Sequence, residues 1–161
     1  MVCLGMLLAS SLSAQEPKLR ATLKGHTSAV VGLAFSPDSK TLASASYDGT
    51  LKSWDMTTGK ERATLGEHRG CLGYVAFSPD GKTLATGAIG SPIPLPDLGD
   101  VRLWDVATGK IRTTLKRSTD DLLTGTAGQD VHSVTFSPDG KTLAAVSREM
   151  TIKVWDIATD K

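Results

Sequence analysis

"FSPDGKTLA" occupies Phe77–Ala85 and returns letter for letter at Phe136–Ala144, while "FSPDSKTLA" at Phe35–Ala43 differs by one residue. One active site needs its nucleophile or base once, so a stretch written three times points to architecture. Its chemistry says which kind. An apolar residue, then Ser-Pro-Asp-Gly, then Lys-Thr-Leu-Ala is a strand end, a tight turn and a strand start. Proline presets φ at the second turn position, aspartate bonds back to nearby backbone, and glycine accepts a left-handed conformation. Each copy is therefore a β-hairpin corner. Ser39 stands where Gly81 and Gly140 stand. A non-glycine residue held left-handed costs about 1–2 kcal/mol, so this corner is expected to use a slightly different turn.

Aligning the copies on their phenylalanines brings Trp54-Asp55, Trp104-Asp105 and Trp155-Asp156 into register near the end of each copy. Phe35 to Trp54 and Phe136 to Trp155 both span 19 positions, but Phe77 to Trp104 spans 27. The eight extra residues fall in the proline-rich Gly90–Asp100, which predicts a protruding loop, since proline cannot serve a central strand. In the strand that carries each tryptophan, Leu51, Val101 and Ile152 share a face with Ser53, Leu103 and Val154. Lys52, Arg102 and Lys153 share the other face with the tryptophans. Bulky apolar groups on both faces predict a strand covered on both sides, as in sheets stacked face to face.

A fourth strand follows two of the tryptophan strands: "ERATL" at Glu61–Leu65 and "IRTTL" at Ile111–Leu115. The third copy of this strand, "LRATL" at Leu19–Leu23, lies at the other end of the chain. The expectation is twelve strands in three groups of four, cut between the third and fourth strand of a group.

Four strands in a period of about 40–45 residues, with Gly-His near the start and Trp-Asp near the end, resemble the WD-repeat β-propeller family. The resemblance covers residues 18–161, with repeats at about 24–65, 66–115 and 125–161. It implies an all-β fold of three four-stranded antiparallel blades, a partial propeller or one completed by another copy. It also implies a buried hydrogen-bond network in each blade between a His, a Ser or Thr, an Asp and the Trp. The first repeat offers His26 after Gly25, Ser44 or Ser46, Asp48 and Trp54. The second offers His68, Thr86 and Trp104, its aspartate displaced by the loop insertion. The third keeps Ser147 and Trp155, but has Ala127 and Glu149 at the His and Asp positions, so it is expected to be the least rigid.

By the same resemblance an N-terminal outer strand completes the last blade, a role Leu19–Leu23 is placed to fill. Three blades are fewer than the usual four to eight. Two copies make six, and a chain standing alone exposes two apolar blade faces.

The totals narrow the function. The 161 residues carry a formal net charge of +1, and their basic residues are scattered, with Lys116-Arg117 the only adjacent Lys/Arg pair. A nucleic-acid reader clusters them, so no nucleic-acid partner is expected. Cys3 and Cys71 form no metal-type pair, so neither a metal site nor a disulfide framework is expected. The glycines fall at turns rather than in a phosphate loop, and no cofactor is expected. His26 and His68 sit at the family's structural position, and no Ser or Cys has a base beside it by motif. The chain is accordingly read as no enzyme.

What remains is a noncatalytic scaffold that binds a protein or peptide. The resemblance places contact sites in the loops at one end of the blades, at Tyr47 and Arg148 before the tight-turn acidic position, and at Arg69 after His68. The alternative is a fragment of a larger propeller protein whose other blades or fused domain carry an activity such as hydrolysis. Residues 1–14, "MVCLGMLLASSLSA", resemble a secretory signal peptide cut near Ser13 or Ala14 and are too short to span a bilayer. This predicts a secreted or periplasmic protein with no integral membrane segment; a cytoplasmic chain with an apolar tail is the alternative.

Overall fold

The computed structural model describes residues 16–67, 71–89, 100–116, 131–147 and 151–157. The N-terminal segment read as a signal peptide, the proline-rich loop up to residue 99, and His68, Arg69, Ala127, Arg148 and Glu149 lie outside the described residues.

Eleven strands and no helix are found among the described residues. The first sheet orders β1 (Val30–Phe35), β2 (Thr41–Ser46), β3 (Thr50–Asp55) and β4 (Lys60–Glu67), each beside its sequence neighbour. The second repeats the order with β5 (Cys71–Phe77), β6 (Thr83–Ile89), β7 (Val101–Asp105) and β8 (Ile111–Leu115). The third contains β9 (Val131–Phe136), β10 (Thr142–Ser147) and β11 (Ile152–Asp156). All pairings are antiparallel; apart from the longer link between β6 and β7, the paired strands are joined by corners of a few residues, which can only reverse the chain. Leu19–Leu23 runs outside the three sheets, and among the described residues no fourth strand joins the third sheet.

The repeated stretch sets the register. Phe35 pairs with Leu42, Phe77 with Leu84 and Phe136 with Leu143. Those leucines then pair with Trp54, Trp104 and Trp155. At the first corner the Ser36 hydroxyl donates to Asp38 Oδ1 at 2.6 Å and accepts the Thr41 N–H at 2.9 Å. The Lys40 N–H donates to the same Asp38 oxygen at 3.0 Å. The Ser36 hydroxyl, then this backbone N–H, hold the Asp38 carboxyl below its ordinary range. The same bonds recur around Asp80 and Asp139. Ser39 corrects its expectation: at φ 58° it takes the left-handed conformation of Gly81 (70°) and Gly140 (71°), and the turn is unchanged. Bonds made by its neighbours outweigh the strain of one residue.

The three sheets stack face to face. Ala43, Ala45, Leu51 and Leu65 of the first blade pack with Leu72, Leu84 and Trp104 of the second. Ala85, Val101 and Leu103 of the second pack with Val131, Val134, Leu143 and Ala145 of the third. Burying each leucine fully contributes about 1.5–3 kcal/mol, and the alanines let the sheets approach. The tryptophan strand is covered on both faces in the first two blades, as its pattern predicts. On β11 it is not: Ile152 and Val154 are exposed.

Candidate functional site

In a four-stranded meander the first and third connections lie at one end of the blade. The second connection, and the link to the next blade, lie at the other. At this latter end of the first blade, the loop before β1 brings His26 over the turn between β2 and β3. His26 Nδ1 lies 3.0 Å from Asp48 Oδ2 and its Nε2 lies 2.6 Å from Ser44 Oγ. Trp54 Nε1–H, which can only donate, reaches the same Ser44 oxygen at 2.8 Å. One assignment satisfies all four groups: Trp54 donates to Ser44, Ser44 to His26 Nε2, and His26 Nδ1–H to Asp48. The bonds point one way, an arrangement in which each polarises the next.

Asp48 is the most heavily bonded member. Besides His26 it accepts the Thr27 N–H at 2.8 Å, and the Thr50 N–H and hydroxyl at 2.9 and 2.6 Å. Burial acts to raise its pKa, but these bonds, the Thr50 hydroxyl foremost, outweigh it and hold the carboxyl far below the ordinary carboxylate range. Thr27 and Thr50 were not legible as members of this set beforehand. The signal for Thr50 is its place two residues after Asp48, where an aspartate at a turn habitually bonds forward.

Of the two serines left open by the sequence, Ser44 joins His26 and Trp54. Ser46 instead donates to Ser28 O at 3.3 Å and accepts the Asp48 N–H at 3.1 Å. In the second blade Trp104 donates to Thr86 Oγ1 at 2.8 Å, and both are buried. In the third, Ala145 pairs with Val134 as Ser44 pairs with Leu33 and Thr86 with Val75. Ser147 pairs with Val131, the register of Ser46 opposite Val30. This corrects the reading of Ser147 as the third blade's hydroxyl: Trp155 has an alanine where the other tryptophans have an acceptor.

Asp48, His26 and Ser44 match a hydrolytic triad by residue type and contact, yet the geometry gives them other work. Ser44 is 2% exposed and its oxygen already takes the Trp54 N–H, so no carbonyl carbon can approach it. Among the described residues no group of three or more His, Cys, Asp or Glu side chains is placed to hold a metal ion. No helix among them is long and apolar enough to cross a membrane. Tyr47, beside Asp48, is 46% exposed at the same end of the blade, its backbone N–H bonded to Ala29 O at 3.0 Å. At the opposite end a groove of about 770 Å³ separates the first two blades, but its Arg62 is engaged with Asp55 at 3.0 Å.

The depressed pKa of Asp48 has a measurable consequence. A carboxyl whose pKa is lowered by folding adds stability above its unfolded value, about 3.9, and loses it as pH falls toward the folded value. Wild type should therefore exceed Asp48→Asn in urea midpoint at neutral pH, and the gap should close as pH falls below about 4. Other lowered carboxyls, such as Asp55 and Asp105, titrate alike in both proteins and cancel in the difference. Parallel midpoint curves down to acid pH would remove Asp48 from the stabilising set.

The WD40 family pattern, described as "WD domain, G-beta repeat", matches residues 17–55, 59–105 and 118–156. The chain is 30% identical over 155 residues to WD repeat and HMG-box DNA-binding protein 1 of Xenopus laevis, covering 96% of this chain and 13% of that one. It is 34% identical over 143 residues to small ribosomal subunit protein RACK1y of Oryza sativa subsp. japonica, covering 88% and 38%. Periodic tryptophan protein 2 of Arabidopsis thaliana is 29% identical over 140 residues, covering 87% and 14%. The chain thus spans well under half the length of each of these relatives. With three matched repeats, three stacked antiparallel sheets and a Trp-Asp pair ending the third strand of each, the chain belongs to the WD40 repeat family.

Proposed function

We propose that the chain is a noncatalytic platform for a protein or peptide partner, which it meets at the blade end carrying Tyr47. The observation that carries this is the pairing of an exposed Tyr47 with a fixed Asp48. A large amphipathic side chain is presented from backbone that the buried network holds still. Tyrosine supplies contact area at little entropic cost, because few torsions must be frozen. Arg69 and Arg148, assigned to the same end from sequence, belong to the same proposed surface.

A photo-crosslinking residue at position 47, compared in native cells with one at Thr57 at the opposite end, tests the surface. We expect a protein adduct particular to position 47, and Tyr47→Ala should weaken binding of that protein about tenfold or more with the fold retained. Identical adducts at both positions, or binding indifferent to Tyr47→Ala, would refute it.

A second reading, that such blades work within a longer propeller, is favoured by the small share of the relatives' length spanned here. Of the two locations weighed, a relative named as a small ribosomal subunit protein favours the cytoplasmic one over export. Intact mass of protein from native cells decides, through a retained Met1 or a start near Gln15.

A further inference from the structure

The two outer faces of the stack are each the twin of a face buried elsewhere in the chain. Val30, Leu33 and Phe35 on β1 are exposed, Leu33 at 62%. The same positions on β5 (Leu72, Val75, Phe77) and on β9 (Val131, Val134, Phe136) pack into the cores between blades. At the far side Ile152 is 70% exposed, against 0% for Leu51 and 1% for Val101 at the same register. The front of each blade is thus built to meet the back of the one before. The first front and the last back have the right residues and no neighbour among the described residues.

Three further features describe what belongs there. Arg20 Nη2 donates to Met56 O at 2.9 Å, and a Cβ at Gly59 would lie 3.9 Å from both Ala21 and Leu23. Gly109, at the same turn position in the second blade, is backed instead by Leu65 at the end of β4. Leu23 therefore stands against the first blade where the outer strand of a preceding blade stands against the second. The family matches agree, since those opening at 17 and 59 give Leu19–Leu23 and Glu61–Leu65 the same place in consecutive repeats. Meanwhile β11 has β10 on one side and no strand on the other among the described residues, whereas β3 and β7 have β4 and β8. Finally, the corners stack: Pro37 lies against Gly81 and Pro79 against Gly140, which leaves Pro138 and Ser39 as the two exposed ends of the row.

We infer that a second copy of this chain covers both faces head to tail. The third blade of one copy packs on the first blade of the other, Ile152 and Val154 meeting Leu33 and Phe35 as Leu51 meets Val75 and Phe77. Leu19–Leu23 of the second copy pairs with the open edge of β11 and becomes the fourth strand of that blade. Repeating the contact once closes a ring of six blades, within the usual four to eight, and leaves neither face nor edge open.

Sedimentation velocity on the full chain tests this. Wild type should sediment as a dimer, at twice the chain mass of 16.9 kDa. Leu33→Asp and Ile152→Asp change side chains that are exposed in the single chain, so each should stay folded by circular dichroism. Each should weaken dimerisation about thirtyfold or more, since a buried unpaired carboxylate is costly. Mixing the two variants should restore pairing above that of either alone, because the mixture retains one intact front and one intact back. Deleting residues 18–23 should weaken the dimer as well. A folded wild-type monomer at about 100 μM, where even weak association of this kind would register, overturns the inference. So does a dimer that survives either face variant, a mixture that pairs no better than its parts, or a deletion without effect.

Discussion

Replacing Trp54 by Ala should lower stability by about 3–5 kcal/mol, whereas His132→Ala should cost much less. Trp54 is 3% exposed and lies against Gly25, where a Cβ would come within 3.0 Å of its ring. Its ring is tilted against His26 with centroids 6.1 Å apart. Truncation empties that volume and also removes the donor that occupies Ser44, so the loss adds a cavity to a disturbed polar chain. His132 is half-buried on β9 and meets Tyr74 edge-on at 6.5 Å, a contact whose removal opens little space. Urea midpoints measure both. Comparable midpoints would show that Trp54 and its polar chain carry no larger share of the stability than His132 does.

Gly32→Ala should cost about 2–3 kcal/mol, near the upper range for overpacking. Gly32 on β1 faces the second blade so closely that an added Cβ would stand 2.5 Å from Gly73 O and 3.3 Å from Ala45 Cβ. A side chain can rotate away from such a contact; a carbonyl of a paired strand cannot without moving its sheet. The methyl group must therefore part the first two blades and loosen the packing of Leu51 against Leu72 and Leu84. A variant within about 0.5 kcal/mol of wild type, the range of an ordinary surface change, would show that the two sheets slide apart more readily than their packing implies.

Much of this architecture is legible along the chain because the interactions that make it are short. The Ser-Pro-Asp corner closes within six residues, from Ser36 to Thr41, so its three copies announce their hairpins without knowledge of anything distant. Alternation carries the strand faces for the same reason, and the interval from phenylalanine to tryptophan carries the register. The bond from Thr50 to Asp48 is just as local, and its two-residue spacing is the signal that the sequence reading passed over.

Tertiary structure decided the rest. Ser44 and Ser46 lie two residues apart on one face of β2, so pattern cannot separate them. The choice is made by where the loop carrying His26, eighteen residues away, sets down its ring. Ser39 has a residue type that argues for a different turn, and neighbouring bonds hold it in the old one. Leu19–Leu23 reads as a strand as plainly as Glu61–Leu65 does, but a strand exists only beside a partner, and among the described residues no strand pairs with it. The same holds for Ile152 and Val154, whose sequence marks them as core while their exposure depends on which blade stands behind them. Local chemistry is a property of the residues, whereas burial is a property of what they meet. The sequence alone therefore determined the blades, and the fold decided which of their faces remain open.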